Sequence, residues 1–149
     1  MRPAGVANFE RFFRATASLD VDKDDLKRYR EFVTEKLDDL LIRGQATAKA
    51  NDRDIVQSFD LPITKGLQES IHEYRRVDPE TELRPFLEPL AEHRPQDVVV
   101  SDETEARLPE VVGGLSVALA RAFKVIEPDL KNPQTQQWER AFRIFDLLL

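Results

Sequence analysis

Apolar residues recur at threes and fours along most of this chain and hardly ever alternate, a spacing that predicts helices. Val6, Phe9, Phe12 and Phe13 form one short apolar face. Leu26, Tyr29, Val33, Leu37, Leu40, Leu41 and Ala48 carry the pattern through about 25 residues, a helix of roughly 37 Å. After a polar break, Phe59, Ile63, Leu67, Ile71 and Tyr74 predict a third helix, with Pro62 in its first turn, where a missing N–H costs nothing. The order is short, long, medium. The β-branched run at 98–100 is too short to make a sheet without partners, so the predicted fold class is all-α.

The second half repeats that order at a shift of 79, which sets Val21 on Val100, Tyr29 on Leu108, Val33 on Val112, Leu40 on Leu119 and Phe59 on Trp138. Asp22, with Asp25 three residues on, is the predicted cap of the first long helix. Ser101 does the same for the second, where Asp102 and Glu103 favour the positive helix end. RRVDPE at 75–80 is the joint, with Pro79 suited to a helix start. Residues 1–149 thus form one domain of two three-helix units, 4–77 and 78–149. Gly113 and Gly114 fall near the middle of the second long helix, where glycine is costly unless a backbone must come close. They are expected to admit the first long helix at an antiparallel crossing near Leu37 and Ser116.

The break itself, NDRDIVQSFD at 51–60, puts Arg53 in a turn without glycine and Asp60 seven residues later. A bidentate guanidinium–carboxylate pair would fix such a turn. Short–long–medium helices with this arginine and aspartate resemble the histone fold: VDKDD at 21–25 matches its first loop, NDRDIV its second, and SFDLP the opening of its third helix. The resemblance implies that Arg53 and Asp60 clamp the second loop. In the other half the shift of 79 puts Asn132 and Glu139 there, a degenerate clamp without the charge pair. The whole chain resembles a family of uncharacterised bacterial proteins in which a histone-like dimer is fused into one polypeptide. What that implies is fold and internal pairing, not an activity. A fused pair has satisfied its own partner surface, so a monomer or weak dimer is expected.

Composition narrows the function. The chain has 149 residues, no cysteine and a net charge of -6. The longest apolar run, LSVALA at 115–120, is far short of a membrane span, so a cytoplasmic protein without disulfides or membrane contact is expected. One methionine, nine prolines and a bias to arginine suggest heat adaptation. Residues 1–76 are electrically neutral and 77–149 carry the whole deficit. In the four loops SLDVDKDD, NDRD, PQDVVVSDE and EPDLKN, 11 carboxylates face 3 cations. Histone-like dimers present these loops to phosphate, whose neutralisation dominates nucleic-acid affinity. Here they would repel it. Arg2, Arg11 and Arg14 form a modest basic stripe on the first helix and are the candidate DNA contacts. Asp20, Asp22, Asp24 and Glu31 echo a calcium loop, but Asp25 stands where that loop demands glycine. Helix capping explains the same carboxylates, and no metal or cofactor is expected. His72 and His93 are the only histidines, and no nucleophile or phosphate-loop motif accompanies them. The reading is a non-enzymatic interaction or scaffold module with an unknown protein partner. The alternative is a nucleoid-associated DNA-binding protein using the first-helix arginines.

Overall fold

The computed structural model describes residues 5–149. Six α-helices lie among them: α1 (Val6–Ala17), α2 (Lys23–Ala50), α3 (Lys65–Thr81), α4 (Arg84–Ala91), α5 (Asp102–Ile126) and α6 (Thr135–Leu148). Two strands of two residues, β1 (Ile55–Val56) and β2 (Val99–Val100), pair in parallel, Ile55 opposite Val99 and Val56 opposite Val100. The class is all-α. The valine run at 98–100 does find a partner, supplied by the loop after α2.

The long helices start where their caps predict. Asp22 Oδ1 accepts the N–H of Asp24 at 2.8 Å, and the Asp25 carboxylate accepts the Asp22 N–H at 3.0 Å, closing a capping box. Ser101 Oγ accepts the Thr104 N–H at 3.1 Å. The third helix starts later than the apolar spacing predicts. Ser58–Asp60 form a 3₁₀ turn, Pro62 lies in the stretch beyond it, and α3 begins at Lys65 behind a Thr64 cap. Phe59 therefore leaves the buried face and is 77% exposed. At its other end α3 runs through Pro79, which does not open a new helix. The joint is Glu82–Leu83, where the Asp78 carboxylate accepts from Tyr74 Oη at 3.1 Å and from the Arg84 N–H at 3.0 Å. The helix break expected at 75–80 thus falls at Glu82–Leu83, between α3 and α4. Pro109 is buried inside a continuous α5.

Packing crosses between the two three-helix runs. α6 packs on α5, with the Phe123 ring 4.9 Å from Trp138, and also meets α2, where the Phe32 ring meets Phe142 at 5.6 Å and Phe145 at 4.9 Å. Lys36, nearly wholly buried, bonds there to Asp146 and Asp39. Burial works to lower the Lys36 pKa, but the hydrogen bonds that Lys36 donates to Asp146 and Asp39 outweigh it and the net direction is upward. α3 lies on α5, and this is where the glycines act. A Cβ on Gly113 would overlap the Tyr74 ring, and one on Gly114 would meet the Ile71 backbone N at 3.1 Å. The expected role at a crossing of the long helices is corrected: both glycines admit α3. Ser116 does touch α2, but through the Tyr29 hydroxyl at 2.6 Å, two turns before the buried Leu37.

Adding a methyl group to these glycines tests the close approach. Gly114→Ala pushes against backbone that cannot rotate away, so it should destabilise by roughly 1–3 kcal/mol. Gly66→Ala, on open α3 surface with nothing within 4 Å, should stabilise by up to ~1 kcal/mol. Urea midpoints that rise for both variants would contradict the packing described.

Candidate functional site: the paired loop ends

Each long helix has one loop before it and one after, and the structure joins them reciprocally. The loop before α2 bonds to the loop after α5, with the Asp20 N–H donating to the Lys131 carbonyl at 2.6 Å. The loop after α2 bonds to the loop before α5 through β1 and β2, extended by the Ser101 N–H on the Val56 carbonyl at 3.1 Å. Side chains reinforce each junction. Thr104 Oγ1 donates to the Val56 carbonyl at 3.1 Å, and the Gln45 amide to the Asp97 carbonyl at 2.7 Å. At the opposite end Arg28 donates to Thr135 Oγ1 at 2.6 Å, and the Trp138 indole N–H to Asp25 Oδ1 at 2.9 Å.

The clamp forms as its spacing predicts. Arg53 Nη1 and Nη2 donate to the two Asp60 oxygens at 2.5 and 2.6 Å. Asp60 Oδ2 also accepts the Gln57 N–H at 2.8 Å, and the Phe59 ring covers the guanidinium with its centroid 5.0 Å from Cζ. Hydrogen bonding to Arg53 holds the Asp60 carboxyl below its ordinary range, against the opposing effect of burial.

In the second half the expected equivalence fails. Gln57 and Asp60 form a capping box, and so do Gln134 and Gln137, which stand 77 residues further on rather than 79. α5 stops at Ile126, short of the residue that would match the end of α2, so two residues are missing before α6. The counterpart of Asp60 is therefore Gln137, that of Leu61 is Trp138, and that of Arg53 is the buried Leu130. Asn132 and Glu139 are exposed and do not bond to each other; Asn132 offers only its carbonyl, to Gln134. The loop is held instead by Lys124 on the Leu130 carbonyl and by Trp138 on Asp25. Burial pushes the Asp25 carboxyl up, an effect its bonds from the Asp22 N–H and Trp138 only partly offset. Trp138 and Asp25 were legible singly, as the one tryptophan and a capping aspartate, but their pairing across 113 residues was not.

Among the other candidates, Arg14 is held by Asp20, its Nη2 3.2 Å from Oδ1, while Arg11 stands exposed on α1. Arg2 lies outside the described residues. Asp20 faces Arg14, and Asp22 caps α2; among the described residues no group of three or more His, Cys, Asp or Glu side chains is placed to hold a metal. His72 lies 3.5 Å from Arg75, and His93 bonds to Asp38 at 3.1 Å across the two halves. No helix among the described residues is long and apolar enough to cross a membrane.

A family model described as "Domain of unknown function (DUF1931)" matches residues 9–146. The chain belongs to this family. A crystal structure of a protein from Thermus thermophilus is 52% identical, covers 97% of each chain and superposes with a TM-score of 0.84. A second, of a protein from Aquifex aeolicus, is 23% identical over 100% of this chain and 98% of its own, with a TM-score of 0.86, and so shares the fold. A curated Aquifex aeolicus (strain VF5) protein described as uncharacterised is 28% identical, covering 87% of this chain and 83% of the relative. Within DUF1931, this chain builds its two loop junctions by different means, one on an ion pair and one on a buried indole.

That asymmetry has a pH signature. A carboxyl lowered in the folded state adds stability that is present above its ordinary value, about 3.8, and lost as pH falls through the lower folded value. Arg53→Ala should therefore lower the urea midpoint distinctly more than Asn132→Ala at neutral pH, and its deficit should shrink on acidification below that value. Equal midpoints for the two variants at neutral pH would remove the clamp from the account.

Proposed function

We propose that this chain is a histone-like pseudo-dimer, two three-helix units in tandem, that works as a non-enzymatic protein-interaction or scaffold module. The short–long–medium helix order in each half and the reciprocal loop junctions support the histone-like architecture. The Arg53–Asp60 clamp adds to them. One observation carries the functional reading: the junctions where such a dimer would meet phosphate are lined by carboxylates. Asp52, Asp54 and Asp97 are exposed at one end, and Asp20, Asp22 and Asp24 at the other. Arg14, which belongs to the basic stripe on α1, is already engaged by Asp20, so releasing it to a phosphate would first break an ion pair. With the net charge at -6, long-range attraction to a polyanion is absent as well.

Anisotropy titration against labelled duplex DNA tests this directly. The protein should give no saturable binding, at low or near-physiological salt. Micromolar binding that falls steeply with salt, and weakens in Arg11→Ala/Arg14→Ala, would establish the nucleoid-associated reading in its place.

A further inference from the structure

The outer faces of α2 and α4, with Gly5 and Asn8 at the start of α1, border an open groove with two unlike walls. One wall is apolar: Pro85 and Pro89 are exposed on α4, with Phe86 and Leu90 half-buried beside them. The other is a stripe along α2, where Lys23, Lys27 and Arg30 recur at helical spacing over the same face. Two hollows of about 650 and 470 Å³ meet at Arg30 and Leu90, which line both. The Arg30 guanidinium lies 5.5 Å from the Phe86 ring centroid, which joins the two walls.

Its charge sets this groove apart. None of Lys23, Lys27 and Arg30 forms an ion pair among the described residues, and Glu31 is the one carboxylate on the described lining. A groove between α3 and α5 is different. Its Arg75 is paired to Glu110 at 2.7 Å and its Arg107 to Glu103 at 3.2 Å, so an anionic guest there would first have to displace a carboxylate. On a protein of net charge -6, three cations held in no ion pair and facing an apolar wall form a local complement to acidic, apolar matter, although Lys27 also borders a hollow lined by Asp22 and Asp24.

We infer that the α2–α4 groove docks an acidic amphipathic peptide segment of a partner protein, apolar side chains against the α4 wall and carboxylates along the α2 stripe. This rests on the interaction reading above and gives it a site. The stripe from Lys23 to Thr34 spans roughly 16 Å, room for about three turns of a helix. A nucleic acid would meet the cations but would have no use for the proline and phenylalanine wall.

The test is fluorescence anisotropy with three labelled synthetic peptides of about 16 residues, a length that covers the groove with one turn to spare. One carries Leu and Phe at helical spacing with Glu elsewhere; the second has Lys for every Glu; the third is poly-glutamate. The first should bind, and the other two should bind at least about tenfold more weakly. Lys27→Glu/Arg30→Glu should weaken the first by a similar factor, while Arg107→Glu in the other groove should leave it unchanged. Lys23→Glu/Lys27→Glu gives the same readout without touching Phe86, and circular dichroism confirms that the variants fold. No binding, poly-glutamate binding as tightly as the amphipathic peptide, or indifference to both charge reversals would overturn the proposal. If the peptide fails and duplex DNA also fails to bind, the groove is wrong and the interaction reading survives. Duplex DNA that binds in a salt-dependent way and displaces the peptide overturns both.

Discussion

The approach of α3 to α5 governs most of the molecule. Gly113 and Gly114 leave no side chain between these helices, so Ile71 and Tyr74 pack directly on the α5 backbone. An α3 seated there belongs by sequence to one half and by packing to the other. α6 reaches across to α2 as well, at a wider spacing filled by the Phe32, Phe142 and Phe145 rings and by Lys36, but packs chiefly on α5 of its own half. Burial of this apolar surface, not local helix propensity, is what holds the medium helices in place. Seating α3 on the far long helix also brings the segment leading into it beside the loop that precedes α5, where the β1–β2 pair forms. The Asp20–Lys131 bond joins the loops at the opposite end.

Two junctions made by one rule are then secured by different chemistry. A loop without glycine holds its turn through a bidentate ion pair, with Asp60 buried beneath Arg53. The second loop has no arginine at the corresponding place and uses Leu130, Gln137 and an indole N–H on a buried carboxylate. The cationic stripe on the α2 flank begins at the acidic junction, at Lys23 beside Asp22 and Asp24, and runs away from it towards the α4 wall.

Much of this was legible in the chain. Helical spacing gave the six helices and their order, Asp22 and Ser101 gave the starts of the long ones, and the seven-residue spacing of Arg53 and Asp60 gave the clamp. What failed did so for identifiable reasons. Phe59 continued the apolar period but sits outside α3, because periodicity does not register a 3₁₀ turn of three residues. A single shift of 79 could not see a long helix three residues shorter followed by a loop one residue longer, so it sets Asn132 and Glu139 on a pair whose counterparts are Leu130 and Gln137. The glycines signalled a close approach correctly, yet sequence cannot say which helix approaches. Tyr29–Ser116 and Asp25–Trp138 join residues about a hundred positions apart, and no local pattern predicts such pairs.

If each half completes the other's core, neither should fold alone. Residues 1–82 and 83–149, divided at the Glu82–Leu83 joint, can be prepared as separate chains and followed by circular dichroism and sedimentation. The account predicts that each alone lacks a cooperative thermal transition. Mixed, they should form a one-to-one complex with the helical signal of the intact protein. A cooperative, monomeric melt from either half by itself would contradict it.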